Sequence, residues 1–309
     1  MEKSRRIQIY CLFLASLFLG LFGAVCLYLG IAGEYNDAMG YFNVGSIFAP
    51  VVYCTIVCGA VLGIVGWIVF RKHVAPDKAL PQSAATRTAS ALAALCIFIV
   101  AGVGAYQALG NHEIPFRGVE VFSFVTAVFA AASLIADAFF AKGKKNDAWR
   151  SLLSFGTTLY CASRVLILYF DQTVAVNSPV KFICQLSYLS FMLVCTARTG
   201  LTLGRGHILP RYIFALCCAM TAGGACAVAA LICTLAGTQC AAIVGIGCVD
   251  KIGLLLYCAT NFLVATRIKP HVVERVSKRG SEIPDEELVP AQIDDEEFAE
   301  SAENTDIEE

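Results

Sequence analysis

The sequence predicts an all-α membrane protein, a bundle of about eight transmembrane helices, and three observations lead to this prediction. The 309 residues are 58% hydrophobic and 15% charged, with a mean hydropathy of +0.69. Soluble domains average about 45–50% apolar residues and about 25% charged residues. The apolar residues form long continuous runs, and a helix needs about 20 of them to cross about 30 Å of hydrocarbon. Basic residues outside the runs are concentrated in alternate connections. The continuous runs exclude alternating β-barrel strands.

Eight segments are long enough to cross a bilayer, and we predict a transmembrane domain over residues 1–268. The predicted helices lie near 7–33, 46–70, 88–110, 118–141, 150–171, 179–201, 211–236 and 241–266. The first follows Lys3, Arg5 and Arg6, as a signal peptide would. Its apolar run of about 25 residues exceeds the 7–15 residues of a signal-peptide core, so we expect an uncleaved helix.

The distribution of Lys and Arg predicts the orientation. Nineteen of these residues fall at the N-terminus, in alternate connections or after the last helix, and only Arg117 and Lys181 fall on the other side. Cytoplasmic loops carry the excess of basic residues. We therefore expect a multi-pass protein of the cell (plasma) membrane with both termini in the cytoplasm. The basic inner loops are expected to bind anionic lipid headgroups.

Small residues predict close contacts between helices. Gly59, Gly63 and Gly66 line one face of the second helix, and Gly20 and Gly23 do so on the first. Such faces let helices approach closely in lipid. Residues 9–33 and 213–237 also align with seven identities, which raises the hypothesis that the bundle is built from repeated helical hairpins.

The C-terminal tail, 269–309, is basic and then acidic. Residues 281–309 contain 13 of the 24 acidic side chains and no Lys or Arg. High charge with few apolar residues predicts disorder. A protein partner at this acidic tail is one hypothesis, and a solvated tail without a partner is the other. No nucleic-acid partner is expected, and the sequence does not indicate an oligomeric state.

Several polar residues inside predicted helices define the candidate site. Arg164 in the fifth helix and Asp250 in the eighth lie at nearly the same predicted depth, where an unpaired charge costs at least about 2.5–3.5 kcal/mol. We predict that they form an ion pair, with Lys251 beside them. Asp137 is interpreted as a residue at the inner boundary of its helix. Residues on the same helix faces complete the predicted polar cluster: Tyr160, Gln185, Tyr188, Tyr257 and Asn261.

Three interpretations of this cluster remain open. It is a hydrogen-bonded network that holds helices together, a cavity for a small polar or anionic solute, or a proton relay through Asp250. The leading functional hypothesis is a transporter-like or channel-like protein. The alternative is a membrane scaffold, assembly factor or sensor subunit that acts through its cytoplasmic tail or its lipid-facing surface.

Neither catalysis nor a cofactor is predicted. The sequence contains no zincin helix, nucleophile elbow, P-loop or dinucleotide-binding fingerprint. The four histidines lie in or beside predicted loops, and the 15 cysteines lack the spacing of a zinc or iron–sulfur site. We interpret the cysteines as small polarisable core residues and expect no metal.

Overall fold

The fold is known from a computed structural model of the chain, and residues 1–273 form one compact unit. Of the predicted tail, 269–309, the structure describes only residues 271–272, and the rest lies outside the described residues. The structure describes residues 2–36, 39–75, 83–110, 117–139, 148–171, 175, 177–203, 205–238, 240, 243, 248–268 and 271–272.

Helices dominate this part of the chain, which confirms the predicted all-α bundle. Two short antiparallel ladders accompany them, β1 (Tyr35–Asn36) with β2 (Tyr41–Phe42) and β3 (His73–Val74) with β4 (His271–Val272). The helices are α1 (Glu2–Glu34), α2 (Phe48–Phe70), α3 (Ala84–Gly110), α4 (Arg117–Phe139), α5 (Ala148–Phe170), α6 (Pro179–Thr202), α7 (Leu209–Cys218), α8 (Gly224–Ala236) and α9 (Val249–Ala265).

The π-helical segment Ala219–Gly223 joins α7 to α8, so these two helices form one continuous rod that starts with a 3₁₀ turn at Gly206–Ile208. With this rod counted once, seven described helices are long and apolar enough to cross a membrane. The eighth is α9, whose 17 residues are at the lower limit for a spanning helix.

The start of the first helix and the end of the last lie at the same end of the bundle. Arg5 donates a hydrogen bond from Nη2 to the carbonyl oxygen of Ile268 at 2.6 Å. The β3–β4 ladder joins the chain after α2 to the chain after α9. We call this end of the bundle, which contains Arg5, His73 and Ile268, the basic end. Partial burial and the charge of Arg5 lower the pKa of His73, so this imidazole adds no positive charge at neutral pH.

The opposite end of the bundle is defined by contacts among other helix termini. Tyr35 and Ser178 share a hydrogen bond of 3.4 Å between their hydroxyls, and Tyr53 donates to the carbonyl oxygen of Pro179 at 3.3 Å. Lys181 is buried here and donates to the carbonyl oxygen of Asp171 at 2.6 Å. These contacts join the ends of α1 and α5 to the starts of α2 and α6.

The α7–α8 rod occupies the centre of the bundle and confirms the predicted small-residue packing. Of its most apolar stretch 78% is buried, against 33% for α1. Glycines of α1 and α2 make room for it, because a Cβ at Gly20 would overlap the carbonyl oxygen of Met220 and one at Gly59 would overlap Thr221. The outer faces expose large apolar side chains such as Phe18, as expected of a lipid-facing surface.

Candidate functional site

The last helix begins inside the bundle, and this position creates the site. At about 1.5 Å per residue α9 is about 25 Å long, whereas α6 with 24 residues reaches about 36 Å. Both run to the basic end, so the first turn of α9 lies about 10 Å short of the opposite end. Between Ala236 and Val249 the described residues Cys240, Ile243 and Cys248 are buried but lie outside α-helices.

The described part of the last helix starts at Val249, later than the predicted start near residue 241. Of residues 241–248 the structure describes only Ile243 and Cys248, which are buried and lie outside α-helices. Hydropathy reports whether a segment leaves water and does not distinguish a helix from a buried irregular backbone. Asp250 and Lys251 consequently lie in the first turn of α9 rather than about ten residues along it.

Asp250 is the centre of the first polar cluster and is 0% exposed. Tyr160 of α5 donates its hydroxyl proton to Oδ2 at 2.7 Å, and Tyr188 of α6 donates to the same oxygen at 2.8 Å. The backbone N–H of Lys251 donates to Oδ1 at 2.8 Å. Arg164 lies with its Nε 3.6 Å from Oδ2. Donors from three helices thus converge on one buried carboxylate, as a buried charge requires.

Two cations accompany this single carboxylate. The Arg164 guanidinium carbon lies 5.9 Å from the centroid of the Tyr188 ring, and the Lys251 ammonium lies 5.4 Å from it. Lys251 Nζ also lies 3.8 Å from the sulfur of Cys184. With Arg164 and Lys251 charged, the cluster has a formal charge of +1. The N-terminus of α9 adds the partial positive charge of a helix dipole at the same place.

A second polar cluster surrounds Arg198 nearer the basic end. One guanidinium nitrogen lies 3.1 Å from Oδ2 of Asp137, and another donates to Oδ1 of Asn261. Tyr212 donates its hydroxyl proton to the same amide oxygen at 3.1 Å. The guanidinium carbon lies 5.0 Å from the ring centroid of Tyr257. A second buried Arg–Asp pair is therefore held between α4 and α6, against α7 and α9.

The structure divides the predicted site residues between these clusters. Tyr160, Arg164, Tyr188, Asp250 and Lys251 come together in the first cluster. The other two members from α9, Tyr257 and Asn261, contact Arg198 in the second. They share a helix face with Asp250, but offsets of 7 and 11 residues place them about 10 and 16 Å along the axis. Gln185 is half-buried and makes no side-chain hydrogen bond within the part of the chain that the structure describes.

Three members of the second cluster were not predicted as site residues: Asp137, Arg198 and Tyr212. Arg198 was counted among the 19 basic residues of the cytoplasmic side, and it is 7% exposed. Asp137 was interpreted as a boundary residue and is 9% exposed. A signal for this pair exists in the sequence, because opposite charges stand at similar distances from the inner ends of the fourth and sixth predicted helices. No sequence pattern points to Tyr212.

A crevice opens beside the second cluster. Its volume of about 10 Å³ is room for one water molecule. Its walls come from α4, α5, α6 and α9, and most of the lining side chains donate or accept hydrogen bonds. The lining residues are Ser133, Asp137, Ser154, Thr157, Cys195, Arg198, Thr199, Thr202 and Tyr257.

The fold and the composition define a multi-pass helical membrane protein. Comparisons with protein-family models, with curated proteins and with solved structures found no match. Its function is therefore argued from the two clusters and their geometry.

Proposed function

We propose that the protein binds and transfers a small polar or anionic solute through the polar interior formed by α5, α6 and α9. The observation that carries this proposal is the excess of positive charge around Asp250, buried where α9 begins inside the bundle. Ionisable groups at membrane depth are costly and are retained where they line substrate or ion pathways. Helices that begin at membrane depth and direct their N-termini at anionic groups are a recurring feature of secondary transporters.

The second cluster supports a path rather than a single isolated site. Thr157 lines the crevice near the basic end, and Tyr160 and Arg164 follow on the same helix toward Asp250. On α9 the polar face continues from Asp250 to Tyr257 and Asn261. Polar side chains thus occur at intervals between the crevice and the first cluster on both α5 and α9. The two helices therefore carry more polar side chains than a single interhelical hydrogen bond would need.

Binding of small anions provides the test of this proposal. We expect chloride, nitrate, formate, acetate or phosphate, at constant ionic strength, to raise the melting temperature of the full-length protein in detergent. Saturation to about 100 times the Kd would add about 2.7 kcal/mol of stability. The active anion should then enter proteoliposomes containing the protein faster than empty vesicles.

Two variants separate the site from a general salt effect. Arg164→Gln removes the cation that pairs with Asp250 in the first cluster and should abolish both the thermal shift and the uptake. Arg211→Gln removes an exposed arginine at the basic end and should leave both unchanged. An equal thermal shift in the two variants, or none with any anion, would contradict the proposal.

We also propose that the protein resides in the plasma membrane with the basic end in the cytoplasm. The 19-to-2 distribution of Lys and Arg supports this orientation. A reporter that fluoresces only in the cytoplasm should be bright when fused after Glu309 and dark when fused after Gly110. A dark fusion after Glu309 that is expressed as well as the fusion after Gly110 would contradict this orientation.

A further inference from the structure

The ammonium of Lys251 has unusual neighbours for a buried cation. The residue is 3% exposed, and the hydrogen-bond acceptor of its Nζ is the sulfur of Cys184 at 3.8 Å. Its other contact is the face of the Tyr188 ring. Among the described residues no carboxylate forms an ion pair with this nitrogen. A neutral thiol is a weak acceptor for a full charge, whereas a thiolate would compensate it.

Cys184 has a second cysteine directly beside it. Its sulfur lies 3.4 Å from the sulfur of Cys226, so that α6 and α8 meet through two thiols. Both residues are 0% exposed. An adjacent ammonium is the environment that favours the nucleophilic thiolate. A neighbouring thiol is what resolves an oxidised cysteine into a disulfide.

We propose that Cys184 and Cys226 form a redox-active pair that is oxidised to a disulfide by a small hydroperoxide, with Lys251 activating Cys184. The pair shares Lys251 with the first cluster, and its oxidation is measured separately from anion binding. The sulfurs would close from 3.4 Å to about 2.05 Å in the disulfide.

The reaction balances in two steps. The Cys184 thiolate attacks one peroxide oxygen, the O–O bond breaks, and the other oxygen leaves as hydroxide, which takes up the proton that Cys184 lost. Cys184 is then a sulfenic acid. The Cys226 sulfur attacks the Cys184 sulfur, and the sulfenic hydroxyl leaves with the Cys226 proton as water. Two thiols have lost two hydrogen atoms, and one peroxide has become two water molecules.

The test treats the full-length protein in detergent with hydrogen peroxide, then denatures it and alkylates the remaining thiols. Mass spectrometry follows each cysteine with time. We expect a peptide pair linked through Cys184 and Cys226 to form before other cysteines react and to disappear on reduction. Lys251→Met should slow this linkage about tenfold, because the thiolate loses its cation.

A matched variant controls for general cysteine oxidation. Cys217→Ala removes another fully buried cysteine and should leave the rate of linkage unchanged. The proposal is overturned if other cysteines oxidise first while Cys184 and Cys226 remain alkylated as thiols. It is equally overturned if folded Lys251→Met forms the linkage at the native rate. Should Lys251→Met not fold, the order of oxidation in the native chain still decides the outcome.

Discussion

Replacing Asp250 with alanine is expected to lower the free energy of unfolding by about 3–5 kcal/mol, because it leaves the largely buried Arg164 without its carboxylate. Arg164 and Lys251 would remain in place, and the hydroxyls of Tyr160 and Tyr188 would lose their acceptor. The measurement is unfolding of the purified protein in detergent, followed by tryptophan fluorescence or by proteolysis. Asp250→Asn retains an oxygen acceptor and should lose less stability than Asp250→Ala.

A double-mutant cycle separates the ion pair from the site as a whole. Arg164→Ala in the Asp250→Ala background removes one uncompensated charge, so the double variant should lose less stability than the sum of the two single losses. Strict additivity would show that Arg164 and Asp250 do not interact, contrary to their separation of 3.6 Å. If all variants fold normally but anions no longer raise their melting temperature, the cluster contributes more to anion binding than to helix packing.

Replacing Gly20 with leucine is expected to destabilise the bundle by about 3 kcal/mol, the upper end of the usual cost of overpacking. A Cβ there would overlap the carbonyl oxygen of Met220 and approach the Cα of Gly224 to 3.5 Å. Backbone atoms of the π-helical segment cannot move aside as a flexible side chain can. The loss should appear as a lower melting temperature and a reduced yield of folded protein in membranes.

Gly33 on the same helix provides the matched control. A Cβ at Gly33 has no heavy atom within 4 Å, so Gly33→Leu adds the same volume without a clash. Its stability should stay within about 1 kcal/mol of the native value, because leucine also favours the helix over glycine. A similar loss in both variants would mean that the cost arises from glycine substitution in α1 generally and not from contact with the α7–α8 rod.

The predicted helices agree closely with the structure wherever composition decides the outcome. The helix predicted near 46–70 is Phe48–Phe70 in the structure, and the helix predicted near 179–201 is Pro179–Thr202. Asp250 and Arg164 were predicted to pair because two opposite charges at similar depth lower each other's cost. The hypothesis of repeated hairpins stays a prediction, although Gly20 and Gly224, which the repeat aligns, approach each other in the structure.

The misjudged features depend on backbone conformation or on partners distant in sequence. The π-helical segment at Ala219–Gly223 has the composition of ordinary helix, and its insertion between α7 and α8 leaves no mark in hydropathy. Arg198 was only counted among the basic residues that predict the cytoplasmic side. Its burial depends on Asp137, Asn261 and Tyr257, which three-dimensional packing brings to it.

The sequence by itself determined the membrane class, the approximate helices and the location of the basic residues, because burial of apolar length and the position of charge are local properties of the chain. It also identified Arg164, Asp250 and Lys251 as costly enough to need partners. Only the tertiary structure decided which partners those are, that α9 starts inside the bundle, and that the polar residues form two clusters. The face of a helix on which a residue lies determines the direction of its side chain, whereas the depth and tilt of neighbouring helices determine which side chains meet.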